Sequence, residues 1–160
     1  MGGQDARRVA FITDSGHMTT SPEQAQKVFE RNIVPMILRF IREGRHVVVV
    51  EQVPEQFNFD TRKAFYETIR TGTMFKVEGV KSDTSAAYLK SPNVIIDSLA
   101  AMPGVSIIDP SSIFCSKKVC DLERDGKILY RDENHLSIAG AMAMEPLFTK
   151  IFERMHGIKP

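Results

Sequence analysis

A carboxylate three residues ahead of an imidazole, Asp132 and His135 in Tyr130-Arg131-Asp132-Glu133-Asn134-His135-Leu136-Ser137, is the pairing in this chain best suited to chemistry. An ionised carboxylate that accepts a hydrogen bond from one ring nitrogen fixes the tautomer and holds the other nitrogen toward a serine hydroxyl. One turn would then supply two members of an acyl-transfer triad. The same spacing also suits an ordinary polar turn ahead of a helix, so the pair takes its meaning from its surroundings. Glu133 and Asn134 need no role beyond that of solvated loop residues.

A nucleophile has to come from elsewhere in the chain. The candidate is Ser15, in Thr13-Asp14-Ser15-Gly16-His17, which follows the apolar run Val9-Ala10-Phe11-Ile12 and reads as a serine turn after a strand. His17 is most simply a polar loop residue.

The elements that must position these groups alternate between strand and helix. Ser21-Pro22-Glu23-Gln24 is a helix start, with Ser21 as cap and Pro22 in the first turn. Apolar residues from Ala25 to Ile41 then recur at helical spacing until Gly44, and Pro35 inside the run predicts a kink near Arg31 and Asn32. Residues 46 to 51 carry four consecutive valines, the pattern of a parallel strand buried on both faces. Residues 61 to 71 predict a helix whose apolar side is Ala64, Phe65 and Ile69. Two helical pieces, 84 to 90 and 93 to 101, are expected to break at Ser91-Pro92. A strand over 105 to 109, a short ribbon over 127 to 130 and a closing helix over 136 to 155, with Pro146 as a possible kink, complete the chain. Strands separated by helices require crossover connections, hence a layered α/β fold with a mainly parallel sheet, whose ligands bind beyond the carboxyl ends of the strands. Ser15, Gln52 and the loop from Asp132 to His135 are expected at that edge.

Composition narrows the class. A chain of 160 residues, 42% hydrophobic and 26% charged, suits one globular domain over 1 to 160 with a sizeable core. Lys and Arg total 21 against 20 Asp and Glu, and no basic run is long enough to track phosphates, so nucleic acid is not an expected partner. There is no apolar run of 18 residues and no charged-then-apolar signal segment. Lys117-Lys118 and the Arg42 to Arg45 region could touch an anionic glycan, although such clusters are usually solvated surface. Cys115 and Cys120 either close a short loop or remain two thiols, and without a second cysteine pair no zinc site is expected.

The stretch Asp125-Gly126-Lys127-Ile128-Leu129-Tyr130 through His135 to Gly140-Ala141 resembles the closing motif of SGNH domains fused to acyltransferase-3 membrane proteins, which O-acetylate bacterial surface polysaccharides. Upstream, the cysteine pair in Ser112-Ile113-Phe114-Cys115-Ser116-Lys117-Lys118-Val119-Cys120, the strand-like Val105-Ser106-Ile107-Ile108 and the Pro-bearing loop after the valines occur in the same order as in that family. The resemblance covers roughly residues 8 to 150, and its last motif is the specific one. It implies a three-layer α/β/α, flavodoxin-like fold with Asp132 and His135 as catalytic residues. It also implies a Cys115–Cys120 disulfide and hence an oxidising compartment, the periplasmic or extracellular face of a membrane protein.

In that family the nucleophilic serine sits in a Gly-Asp-Ser block, whereas here Thr13 stands in the glycine's place. Only about thirty residues separate Ser15 from the valine strand, fewer than the family's order requires. The spacing therefore favours a chain that is the C-terminal part of an SGNH domain, without the block that carries the serine. The activity implied is acyl, most simply acetyl, transfer from an acyl donor to a glycan acceptor, with the acyltransferase-3 membrane domain as partner and no cofactor or metal. An SGNH esterase, or a glycan-binding module that keeps the fold without the chemistry, are the alternatives.

Overall fold

The computed structural model describes residues 21–57, 59–73, 78–155 and 157, which fall into two compact units divided between Val47 and Val48. The first contains helix α1, Pro22–Arg42. Its start follows from residue type: Ser21 is extended, its hydroxyl accepts from the Gln24 N–H at 3.3 Å, and Pro22 occupies the first turn, where its missing donor is not needed. The helix continues as one element through Pro35. The Asn32 side-chain amide, near the expected kink, donates to the Val28 carbonyl at 2.7 Å. Beyond the cap Glu43, Gly44 adopts φ 75°, a left-handed conformation that ends helices readily when no Cβ is present.

In the second unit the fold is mixed α/β. Strands β1 (Val47–Val50) and β2 (Val105–Ile108) lie side by side in a small parallel sheet, and the Glu51 N–H extends the pairing to the Ile108 carbonyl at 2.9 Å. Parallel neighbours need a crossover, which here carries α2 (Thr61–Thr71) and α3 (Ser82–Leu99). The β1 valines are only partly buried, and Val50 is exposed, among the described residues.

Helix α2 has the bounds that its sequence pattern predicts. Asp60 caps it by accepting from the Arg62 N–H at 2.7 Å, and Gly72 at φ 66° stops it. Its apolar side differs from expectation: Ala64 alone is buried, whereas Phe65 and Ile69 are exposed. Helix α3 differs too, since it runs unbroken through Ser91-Pro92. Its buried residues Ser85, Leu89, Ile95, Ile96 and Leu99 lie on both sides of the proline, and packing along that face outweighs the one hydrogen bond a proline removes.

After β2 come a single turn α4 (Ser111–Phe114) and the cysteine loop. Next is an antiparallel ribbon of β3 (Glu123–Arg124) and β4 (Lys127–Ile128). Its two-residue turn, Asp125-Gly126, has positive φ at both positions, 53° and 74°, as a tight hairpin matched to strand twist requires. The closing helix is two helices, α5 (Ile138–Ala143) and α6 (Glu145–Met155), rather than one. Pro146 cannot donate within a continuous helix, but it fits the first turn of a new one. The core of this unit joins Phe59 and Ala64 to Ile108, Phe114, Leu122, Leu129, Tyr130, Met144 and Ile151.

Candidate active site

The peptide from Tyr130 to Leu136 is a short excursion pinned at its base. Tyr130 and Leu136 pair as an isolated antiparallel bridge, and the Arg131 N–H donates to the His135 carbonyl at 2.8 Å. The Tyr130 side chain is almost fully buried against Phe114, so one end of the loop is held by the core. At the other end the Ser137 hydroxyl donates to the Ile128 carbonyl at 2.7 Å and accepts from the Gly140 N–H at 3.2 Å, which caps α5. Gly140 has to be glycine for a steric reason: a Cβ there would sit 2.0 Å from the Leu129 carbonyl oxygen.

Within this frame Asp132 organises the turn. Its Oδ1 accepts from the Asn134 N–H at 3.2 Å and the His135 N–H at 2.9 Å, a side-chain-to-backbone turn of the kind aspartate favours. The same carboxylate meets His135 Nδ1 at 2.8 and 3.0 Å. Partial burial works against ionisation of Asp132, but the His135 ring and the Asn134 and His135 amides outweigh it and hold the carboxyl below its usual range. An ionised carboxylate only accepts, so the proton at that contact belongs to Nδ1 and Nε2 is the basic nitrogen. The His135 side chain is 73% exposed, which leaves that nitrogen open to a reacting group.

Neighbouring segments brace the loop. Asp60 and Asp132 pair as an isolated bridge, the Thr61 N–H donates to the Arg131 carbonyl at 3.3 Å, and the Thr61 hydroxyl bonds the same carbonyl. Gln56, rather than the exposed Gln52, joins the loop after β1 to the dyad: its N–H donates to the Glu133 carbonyl at 2.7 Å. Ser15 and His17 lie outside the described residues. Cys115 and Cys120 form a disulfide, with Cys120 fully buried and Lys117 and Lys118 exposed on the intervening turn. Arg45 is engaged by Glu43 at 3.4 Å.

A second polar cluster has no counterpart in the sequence reading. Glu51 and Asp109 directly follow β1 and β2, so both stand at the carboxyl ends of the parallel strands. Together with Lys90, Asn93 and Asp97 of α3 they line a cleft of about 310 Å³. Glu51 is 6% exposed and accepts from the Asn93 amide at 2.7 Å. Its burial, the charge of Asp109 and the hydrogen bond and charge of Asp97 push its carboxyl up to about 7. Among the described residues no group of three or more His, Cys, Asp or Glu side chains is arranged to hold a metal ion.

Among the described residues no helix is long and apolar enough to cross a membrane. No curated protein and no solved structure matches the chain. The family model described as SGNH domain (fused to AT3 domains) matches residues 4–150. That span takes in the dyad, the disulfide and both parallel strands, and by it the chain belongs to the family of SGNH domains fused to AT3 domains.

Proposed function

We propose that this chain serves acyl transfer, most simply of an acetyl group, to hydroxyls of a cell-surface glycan as the domain of a membrane acyltransferase. The observation that carries the reading is the Asp132–His135 contact, 2.8 Å from carboxylate oxygen to Nδ1. A base oriented in this way removes a proton from a serine hydroxyl through Nε2 while Asp132 stabilises the imidazolium that forms. The serine takes the acyl group from the donor, and its proton then goes from His135 to the leaving group. In the second half-reaction His135 deprotonates the acceptor hydroxyl, which displaces the serine and carries the acyl group away.

Ser15, in Thr13-Asp14-Ser15-Gly16-His17, is the candidate this chain offers for that serine, while its short spacing to the valine strand favours a serine supplied from outside the chain. Residues 1 to 160 are expected to belong to a single three-layer α/β/α domain that lacks the block carrying the serine, with the dyad at the carboxyl edge of its sheet. Family membership and the disulfide together support a place on the periplasmic or extracellular side of the membrane. The exposure of His135 favours hydrolysis as a second reading, since water then reaches the acyl-enzyme in place of a sugar.

Turnover of p-nitrophenyl acetate by the chain and by its His135→Ala form tests the chemistry. The expected result is loss of turnover in the variant, and equal rates would remove the catalytic claim. A fluorophosphonate probe followed by peptide mapping tests the nucleophile. Modification of Ser15 would assign the serine to this chain, and an active sample whose adduct lies elsewhere excludes it.

A further inference from the structure

Gln56 is 2% exposed, and its side chain uses both ends of its amide. Nε2 donates to the Cys120 carbonyl at 3.2 Å, and Oε1 accepts from the Val80 N–H at 3.0 Å. Val80 and Cys120 are themselves joined, since the Cys120 N–H donates to the Val80 carbonyl at 2.8 Å. Just before them Gly79 lies so close that a Cβ would fall 2.0 Å from the Cys120 carbonyl oxygen. Nε2 also reaches the Asp121 carbonyl at 3.5 Å, so the Gln56 side chain is locked to the disulfide-bonded end of the cysteine loop through three groups, all of them backbone. Its own backbone N–H points the other way, to the Glu133 carbonyl at 2.7 Å.

The peptide linking Glu133 to Asn134 is what makes this consequential. Its carbonyl accepts from Gln56, and its N–H donates to Asp132 Oδ1 at 3.2 Å, the oxygen that also meets His135 Nδ1 at 2.8 Å. A rotation of that peptide plane would withdraw one donor from Asp132 and turn the carboxylate relative to the ring. We propose that Gln56 is the positioning residue of the dyad, carrying the fixed position of Cys120 to the peptide that orients Asp132. The proposal deepens the acyl-transfer reading and rests on it for its functional meaning. Gln56 touches no reacting atom, and its effect passes through Glu133, Asn134 and Asp132.

The test is NMR on the full chain, comparing wild type with Gln56→Leu. Two readouts report the dyad directly: the ¹⁵N shifts of the His135 ring, which give its tautomer, and amide exchange at Asn134 and His135. In wild type the Nδ1–H tautomer is expected, with both amides protected. In the variant the tautomers are expected to mix, and exchange at these two amides to rise about ten-fold more than at reference amides of α3 such as Leu99. A tautomer that stays unchanged, or exchange that rises equally at the dyad and in α3, would overturn the proposal, because a merely structural glutamine produces that result. Should Gln56→Leu not fold, Gln56→Met takes its place under the same criteria, since it keeps the length of the side chain and loses both the donor to Cys120 and the amide acceptor facing Val80. Neither readout depends on turnover. An inactive wild type with these shifts sinks the acyl reading and upholds the positioning, whereas an active wild type without them does the reverse.

Discussion

Two carboxylates of the second unit show how the same functional group is set to opposite states. Asp132 sits on a surface turn where two backbone amides and an imidazole donate to it, and their combined effect lowers its affinity for a proton. Glu51 sits at the end of a strand, out of water and beside Asp97 and Asp109, and these surroundings push its carboxyl up to about 7. The difference lies in what surrounds each group. Donors converge on Asp132, whereas Glu51 has one amide donor, from Asn93, set against burial and two acidic neighbours. The first arrangement makes an orienting anion for a base. The second makes a neutral carboxylic acid able to share a hydrogen bond with another carboxylate.

The strongest way to break the comparison is to deprive Asp132 of its charge. In Asp132→Asn, the side-chain oxygen still accepts from the turn amides, but an uncharged amide no longer fixes the Nδ1–H tautomer. The turnover of p-nitrophenyl acetate is expected to fall by about a hundred-fold or more, with little change in thermal midpoint. A rate within a factor of two of wild type would show that the carboxylate does not orient the base.

Glu51 sharpens the contrast through pH. Its folded value is raised from the ordinary 4.5 to about 7, so its contribution to stability is fully present below pH 4.5 and is lost as pH rises toward 7. That loss is expected to be roughly 3 kcal/mol. Glu51→Gln mimics the protonated form, and denaturant unfolding should show it to be more stable than wild type at pH 8 and nearly equal at pH 4.5. Matching pH profiles for the two proteins would show that Glu51 is not held neutral. Asp132 has the opposite sign, since a lowered carboxyl favours the folded state above its usual range and loses that contribution on acidification.

The floor beneath the dyad gives the next effect. Gly140→Ala puts a methyl group against the Leu129 carbonyl, and we expect a loss of about 2 to 3 kcal/mol in denaturant unfolding together with weaker protection of the Ser137 amide, which donates to that carbonyl. An alanine variant as stable as wild type would mean that the contact relaxes freely. The smallest effect is expected from Asp60→Ala, which removes the cap of α2 beside the dyad loop. It should lower the thermal midpoint slightly, while the His135 tautomer stays the same.

The dyad was legible in the sequence because it is local. An aspartate three residues before a histidine can cap a tight turn that brings carboxylate and ring together, and the likeness of the surrounding residues to the closing SGNH motif singled this pair out from ordinary polar turns. The helix start at Ser21 and the stop at Gly44 were legible for the same reason, whereas for α2 the sequence pattern marked only the bounds and the structure shows Asp60 as its cap and Gly72 as its stop. Prolines were read less well. Pro92 passes through α3 because buried residues flank it on one face, while Pro146 begins a new helix after Met144. The proline itself is the same in each case, and packing decides the outcome.

By itself the sequence determined the alternation of strand and helix, the start and stop of α1 and the pairing of Asp132 with His135, all of which depend on neighbours along the chain. Tertiary structure alone decided that Phe65 and Ile69 of α2 face solvent, that Gln56 meets Val80, Cys120 and Glu133, and that Glu51 shares a cleft with Asp97 and Asp109. These contacts join residues far apart in the chain, and none has a spacing that marks it. Burial and proton affinity are properties of the folded surroundings, so a buried glutamate that keeps its proton reads, in the sequence, like any other glutamate.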